Sequence, residues 1–364
     1  MKPPGITTKL AGAAGGALAL FSGALPAMAA ETAPATLRET GLYRTGSAEV
    51  APANLRFSPQ YPLWSDGAEK DRWVHVPAGK TIDASRPDAW QFPVGTRFWK
   101  QFSVSGRKVE TRLIERTGDG QWRFSAYVWN AAGTEATLAP AAGLATDVEV
   151  APGKRYVVPG EIDCRACHEG RATPVLGFSA LQLSPDRDPM APHANAKPGD
   201  LDLPALAQRG LLRGLPAALL QRPPRIAAPS AIARAALGYL ATNCGSCHNQ
   251  EGPLAGLEMT LDPNPGAHAV LASTVGRASR YLPPGSVAAA RVAAGAPHAS
   301  VLVTRMRSRD PLVQMPPLGT QLLDVRGIAL IERWVAELRE VPPVPKPAHA
   351  GVSLASPTQK EIRP

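Results

Sequence analysis

All four cysteines of the 364-residue chain fall in two copies of one short pattern. "DCRACHEG" carries Cys164, Cys167 and His168, and "NCGSCHNQ" carries Cys244, Cys247 and His248. A chain that commits every thiol to Cys-x-x-Cys-His must fold so that thiols at i and i+3 and the next imidazole reach one partner. The chain has only seven histidines, so chance does not readily put one after the second cysteine twice. The spacing is the attachment signature of c-type haem. Two thiols at this separation reach both vinyl groups of one porphyrin, and the adjacent imidazole then lies under the iron. Two disulfides would leave both histidines without a role. A Cys₂His₂ or Cys₄ zinc site requires the two units to converge, and it gives no reason for histidine at this place. The expected cofactors are therefore two covalently bound haem c groups. Cys164, Cys167, Cys244 and Cys247 would be their anchors, with His168 and His248 as proximal iron ligands.

The chain around the motifs changes character along its length. Six of the seven tryptophans (Trp64, Trp73, Trp90, Trp99, Trp122 and Trp129) lie between residues 61 and 130, and only Trp334 follows. "KVETRLIER" and "QWRFSAYVWN" flank the turn "TGDG", and the second run alternates with period two, which predicts a β-hairpin. "DRWVHVP" and "TRFWKQFSV" repeat the pattern between turn signals. The later region predicts helices instead. "PSAIARAALGYLATNC" starts at Pro229-Ser230 and runs into Cys244. "DVRGIALIERWVAELRE" has Asp324 as a cap and places Ile328, Ile331, Trp334, Val335 and Leu338 on one face. A short helix is expected near Pro204–Arg209. The fold class expected is thus α+β and multidomain. An all-β, sandwich-like domain (31–158) would precede mainly α-helical segments, a first haem segment (159–224) and a second haem domain (225–342).

The first 30 residues carry Lys2 and Lys9, an apolar Gly- and Ala-rich run and small residues at Ala27 and Ala29, the signature of a cleaved secretory signal. No other stretch reaches the ~18 apolar residues that span a bilayer. Residues 343–364 are Pro-rich and expected to be disordered. Of the net charge of +9, two units belong to Lys2 and Lys9. The remaining basic residues are scattered, without the aromatic-basic pattern of a nucleic-acid module, so nucleic acid is not an expected partner.

The second unit resembles a class I cytochrome c domain. A helix leads into "NCGSCHNQEGPLAG", "VQMPPLG" follows 67 residues after His248, and an amphipathic helix closes the region. The resemblance implies Cys244 and Cys247 as thioether anchors, His248 as proximal ligand and Met315 as distal ligand. It also implies that a carbonyl of "EGPLAG", near Pro253, orients the His248 ring. The first unit departs from this pattern: "VEVAPGKRYVVPGEIDC" is extended, and no Met-Pro-Pro follows it. Met190, His193, His75, Met259, Met306 or no protein group remain open as its sixth ligand. "YPLWSDGAEKDRWVHVPAG", "WQFPVGTRFWKQFS", "DCRACH", "LGFSALQL" and "YLATNCGSCH" together resemble an exported bacterial dihaem c-type cytochrome family with an N-terminal β domain. That resemblance implies a periplasmic or secreted bacterial location.

An electron carrier between a redox protein partner (a small carrier, dehydrogenase or oxidase) and a terminal acceptor is the leading expectation. A haem enzyme using the first haem as its active site and the second as relay is the alternative. A third reading makes the β domain a sensory module. "YPLWSDGAEKDRW" is expected either as a turn packed on the sheet or as a docking surface near the first haem.

Overall fold

The computed structural model describes residues 32–118, 120–263 and 266–339. The expected leader and the Pro-rich tail lie outside these residues. Nine strands precede the first motif: β1 (Leu55–Arg56), β2 (Glu69–His75), β3 (Ile82–Asp83), β4 (Arg97–Val104), β5 (Arg107–Gly118), β6 (Gln121–Trp129), β7 (Ala136–Leu138), β8 (Leu144–Ala151) and β9 (Lys154–Val158). Six of them form one antiparallel sheet in the order β1-β2-β4-β5-β6-β7. The alternation in the sequence is the reason: β5 and β6 pair from Glu110 with Val128 to Gly118 with Gln121, as the hairpin pattern requires.

The pairing register sorts residues onto two faces. Trp73, Trp99, Leu113, Tyr127 and Trp129 share one face, closed by Leu37 and Leu42. The indole N–H of Trp99 donates to Thr40 Oγ1 at 3.0 Å, and that of Trp129 to Thr111 Oγ1 at 3.0 Å, so neither buried ring leaves a donor unmet. The other face carries Val74, Phe98, Phe102, Phe124 and Ala126, with Arg72, Lys100 and Arg112 among them.

What covers this second face is only partly a sheet. The β8–β9 hairpin sets Val148, Tyr156 and Val158 against Phe102 and Ala126. Beyond it the cover is irregular chain, with Val175, Phe178 and Leu183 packed on Val74 and Phe98. The Phe178 ring stands edge-on to Phe57 and Phe98, with centroids 4.7 and 5.2 Å away. The expected sandwich is therefore corrected to one full sheet with a mixed second layer. Pro174, Pro185, Pro189, Pro192 and Pro198 deny the covering segment the run of backbone donors a strand needs.

The helices follow in chain order: α1 (Glu161–His168), α2 (Leu203–Gln208), α3 (Ala218–Gln221), α4 (Ala231–Asn243), α5 (Ala267–Thr274), α6 (Val301–Met306) and α7 (Val325–Glu337). A tenth strand, β10 (Leu212–Arg213), pairs in parallel with β3 and ties the chain after α2 to the sheet region. Side-chain caps start three of the helices: Asp202 accepts from Ala205 N (2.8 Å), Ser230 from Ala233 N (3.0 Å) and Asp324 from Gly327 N (2.9 Å). The apolar face read from the sequence of α7 is buried: Ile328, Ile331, Trp334 and Val335 pack with Leu237 and Leu240 of α4. None of the helices among the described residues is long and apolar enough to cross a membrane.

Tyr61, from the loop before β2, belongs to this helical core. Its ring lies where a Cβ on Gly238 of α4 would stand, and its hydroxyl donates to Asp188 Oδ2 at 3.0 Å. Gly238→Ala is expected to lower stability by about 1–3 kcal/mol through overpacking, more than the ~1 kcal/mol that alanine returns in helix propensity. Gly256→Ala, which meets open space, serves as the control in thermal unfolding.

Candidate functional site

The second motif begins where α4 ends. Cys244 closes the helix with its N–H on the Leu240 carbonyl (2.9 Å), and the Cys247 and His248 amides both donate to the Cys244 carbonyl, at 3.1 and 2.9 Å. This single turn brings both thiols and the imidazole to the wall of a cavity of about 300 Å³. Leu254, Leu257, Met259, Leu261, Leu302, Met306 and Ile328 make most of its lining apolar, and Arg280, Arg291, Arg305 and Arg309 supply cations. Met315, Pro316 and Pro317 line the same cavity from the loop after α6. That loop is held by two arginines. The Met315 amide donates to the Arg305 carbonyl (3.0 Å), the Arg305 guanidinium donates to the Val313 carbonyl (2.7 Å), and Arg309 donates to the carbonyls of Leu322 (2.8 Å) and Met306 (3.0 Å).

His248 Nδ1 is buried and has no hydrogen-bond partner among the described residues. The expected carbonyl near Pro253 does not engage it. The "EGPLAG" loop is organised instead by Asn249, whose carbonyl accepts from the amides of Glu251 (2.8 Å) and Gly252 (2.6 Å), so its turn closes on that side chain. Burial holds the His248 imidazole below its ordinary pKa, helped by Arg305 and Arg291. Burial also pushes the Cys244 thiol up to about 12, with Cys247 adding to the shift.

The first motif is itself helical. The Gly160 amide donates to Asp163 Oδ2 at 3.0 Å to open α1, and Arg165 bridges Glu161 (2.8 Å) and Glu169 (2.5 Å) along the solvent side. His168 points to the sheet, its ring 5.5 Å from that of Phe124. Its Nδ1 lies 2.6 Å from the Pro174 carbonyl. A carbonyl can only accept, so Nδ1 carries the proton and Nε2 keeps a free lone pair. Burial, opposed by the Pro174 hydrogen bond and reinforced by Lys100 and Arg112, pushes this imidazole down to about 4. The carbonyl support expected for the second histidine is thus found at the first.

The two motifs lie against each other. Asn249 Nδ2 donates to the Gly170 carbonyl at 3.0 Å, and Cys247 Sγ is 3.9 Å from the Ala166 carbonyl. A Cβ on Gly170 would collide with the Ser246 carbonyl. Arg171 completes the seam with Asp262 at 2.8 Å. No two of the four cysteines are joined in a disulfide. Among the described residues no group of three or more His, Cys, Asp or Glu gathers around a point that would hold a metal ion directly.

The sixth-ligand candidates for the first motif are each engaged elsewhere. His75 shares a rung with Arg97 on the opposite sheet face from Phe124. His193 Nε2 meets the Asp324 carboxylate at 2.9 and 3.0 Å, Met190 packs on the core around α4, and Met259 and Met306 line the second cavity. "YPLWSDG" is resolved in favour of neither reading. It forms the seam between sheet and helices, and what it borders is the second motif's cavity. Trp64 lines that cavity and donates its amide to Asn243 Oδ1 (2.9 Å), while Asp66 accepts from the amides of Gln321 (2.8 Å) and Leu322 (2.9 Å) beyond the Met315 loop.

Sequence reasoning missed Asp324 as anything but a cap. Its carboxylate also lines the cavity and accepts from His193 and from the Tyr239 hydroxyl (3.0 Å). Comparison with protein-family models, curated proteins and solved structures finds no match to this chain. Burial opposes ionisation of Asp324, but the hydrogen bonds from His193, the Gly327 amide and Tyr239 outweigh it and hold its pKa below the ordinary 3.8. The stability this carboxylate contributes is therefore present above its unfolded pKa and lost as pH falls through its lower folded pKa. Asp324→Asn is expected to cost about 1.5–3 kcal/mol at neutral pH, with the difference from the native chain shrinking in urea titrations as pH falls below the ordinary carboxylate value of 3.8.

Proposed function

We infer that this chain is an exported dihaem c-type cytochrome that passes electrons between a redox protein partner and a terminal acceptor. The observation that carries the reading is that Met315, far along the chain from His248, lines the same apolar cavity as Cys244, Cys247 and His248. A thioether from a distant loop facing two thiols and an imidazole from one turn is the donor set of a His/Met c-type site. The cavity's apolar walls and cationic arginines suit a flat hydrophobic ring bearing carboxylates. At the first motif the fit rests on Cys164, Cys167 and a His168 ring whose Nε2 is left unprotonated by the bond from Nδ1 to the Pro174 carbonyl. Residues 1–30 support export, and the likeness of "NCGSCHNQEGPLAG" and "VQMPPLG" to class I cytochromes c supports the same reading.

Haem c, when bound, supplies a one-electron iron couple. The chain does the rest. Pro174 fixes the tautomer and orientation of His168. Arg305 and Arg309 hold the loop that presents Met315, and leucine side chains line the cavity beside it. The seam at Gly170, Asn249 and Cys247 keeps the two attachment sites in contact, so an electron received at one has a short path to the other. Met315 would be the thioether ligand at the second site, and thioether ligation would raise the reduction potential there. Pyridine haemochrome assay of the exported chain is expected to give two covalent haems. The oxidised form should show a thioether-to-iron charge-transfer band that disappears in Met315→Ala; a band unchanged in that variant removes Met315 from the site.

The alternative, a haem enzyme with the first site as its reaction centre, is favoured by one observation: each candidate distal ligand for His168 is occupied elsewhere. Under the electron-transfer reading, carbon monoxide and cyanide leave both spectra unchanged. Binding of either at the first site together with peroxide turnover establishes the enzyme reading instead.

A further inference from the structure

The sheet face toward α1 carries an unusual row of charge. In register, Arg72 of β2 lies directly opposite Lys100 of β4, and Lys100 directly opposite Arg112 of β5. Lys70 stands one same-face step away, opposite Phe102. The Phe102 ring centroid is 4.9 Å from Lys100 Nζ, 4.4 Å from the Arg112 guanidinium carbon and 5.9 Å from Lys70 Nζ. Like charges directly opposite across strands destabilise a sheet, and here they run across three strands.

Little on the chain compensates them. Lys70 Nζ donates to the Ala68 carbonyl at 2.9 Å, and among the described residues Glu110 is the one carboxylate hydrogen-bonded to a side chain of the row. It accepts from Nε and Nη2 of Arg112, at 2.7 and 2.9 Å, and from the Tyr156 hydroxyl at 2.6 Å. The other nearby carboxylates are already committed: Asp66 to the Gln321 and Leu322 amides, Asp71 to Lys197, Asp200 to Arg56 at 2.7 Å, and Asp324 to His193 and Tyr239. Arg72 is buried at 6% exposure with Nη1 unpartnered. Lys100 makes no hydrogen bond or ion pair among the described residues, yet keeps partial solvent access. Four cations against one carboxylate, half enclosed, form a site built for an anion.

The site's neighbour identifies the anion. His168 sits against Phe124, which shares a rung with Phe98 and Ile114; the next same-face rung is Lys100, Arg112 and Ala126. Along β6 the step from Phe124 to Ala126 is about 7 Å, and Arg112 and Lys100 lie one and two strands across from Ala126 at about 4.8 Å per strand, a span their long side chains can reach back across. We propose that Lys70, Arg72, Lys100 and Arg112 form the carboxylate site for the two propionates of the haem attached through Cys164 and Cys167. The proposal rests on the dihaem reading above. It gives the β region a role, as the wall that neutralises the first haem, and it explains why the cations stand in a row rather than facing solvent.

The test uses the full exported chain, with haem content read first and both reduction potentials then resolved by spectroelectrochemical titration. The second haem is the one whose spectrum depends on Met315. Lys100→Gln leaves a carboxylate charge uncompensated and favours oxidised iron. The first haem's one-electron equilibrium is expected to move about tenfold toward the oxidised form, ~59 mV, with the second unmoved. Arg72→Gln provides a second variant with the same sign, and Lys108→Gln, over Trp129 on the opposite face, is expected to change neither potential. Potentials equal to native in both Lys100→Gln and Arg72→Gln overturn the proposal. So does a saturable shift on adding succinate or sulfate to the native chain that Lys100→Gln abolishes, since the site then serves a free anion. A chain purified without covalent haem overturns the dihaem reading itself, and the haem assay reveals that before any potential is measured.

Discussion

Gly170 has no room for a side chain, because the Ser246 carbonyl occupies the place where its Cβ would stand. That close approach sets the two Cys-x-x-Cys-His units against each other, and much of the structure serves to hold it. From one side, α1 presents its motif to the sheet with the Arg165 ion pairs turned outward. From the other, α4 runs into Cys244 and is anchored by α7 behind it. Asn249 reaches across the seam to Gly170 while closing its own loop, and Arg171 reaches back to Asp262. The seam also accounts for the position of Tyr61 and Trp64. The first wedges on Gly238 and the second borders the cavity, so the sheet and the helical core share one boundary.

The two sites differ in ways that follow from their surroundings. The second borders a largely apolar cavity, with Met315 supplied by a loop that Arg305 and Arg309 lace to α6. The first lies on a polar sheet face, its imidazole fixed by Pro174 and flanked by Lys100 and Arg112. If both units hold haem, as proposed, these unequal electrostatic environments would separate the two potentials, and the β region would then share in setting them.

Much of this was legible in the sequence, because local periodicity governs strands and helices. The period-two runs in β2, β4, β5 and β6, the caps at Ser230 and Asp324 and the buried face of α7 all follow from side-chain pattern. The co-location of Met315 with His248 followed from resemblance to class I cytochromes c. The cover of the sheet did not, because an irregular Pro-punctuated segment has no periodicity to read, and Phe178 or Leu183 reveal their place only through contacts distant in sequence. The Pro174 carbonyl was equally hidden, since any backbone carbonyl can accept and nothing in the residue type marks this one. The cation row was in plain view: "EKDRW" places Lys70 and Arg72 two positions apart, and "FWKQF" and "ETRLI" each hold one basic residue, Lys100 and Arg112. What the sequence lacked was the register that aligns them.

The central claim is that the two Cys-x-x-Cys-His units are neighbours, so that the haems proposed for them would be neighbours too. Electron paramagnetic resonance of the fully oxidised chain tests it most directly, compared with a Cys164→Ala, Cys167→Ala chain that holds a single haem. Magnetic interaction between adjacent ferric centres is predicted to broaden the native signals, so that the second haem's spectrum sharpens when the first is removed. A native spectrum equal to the simple sum of two isolated centres would contradict the account.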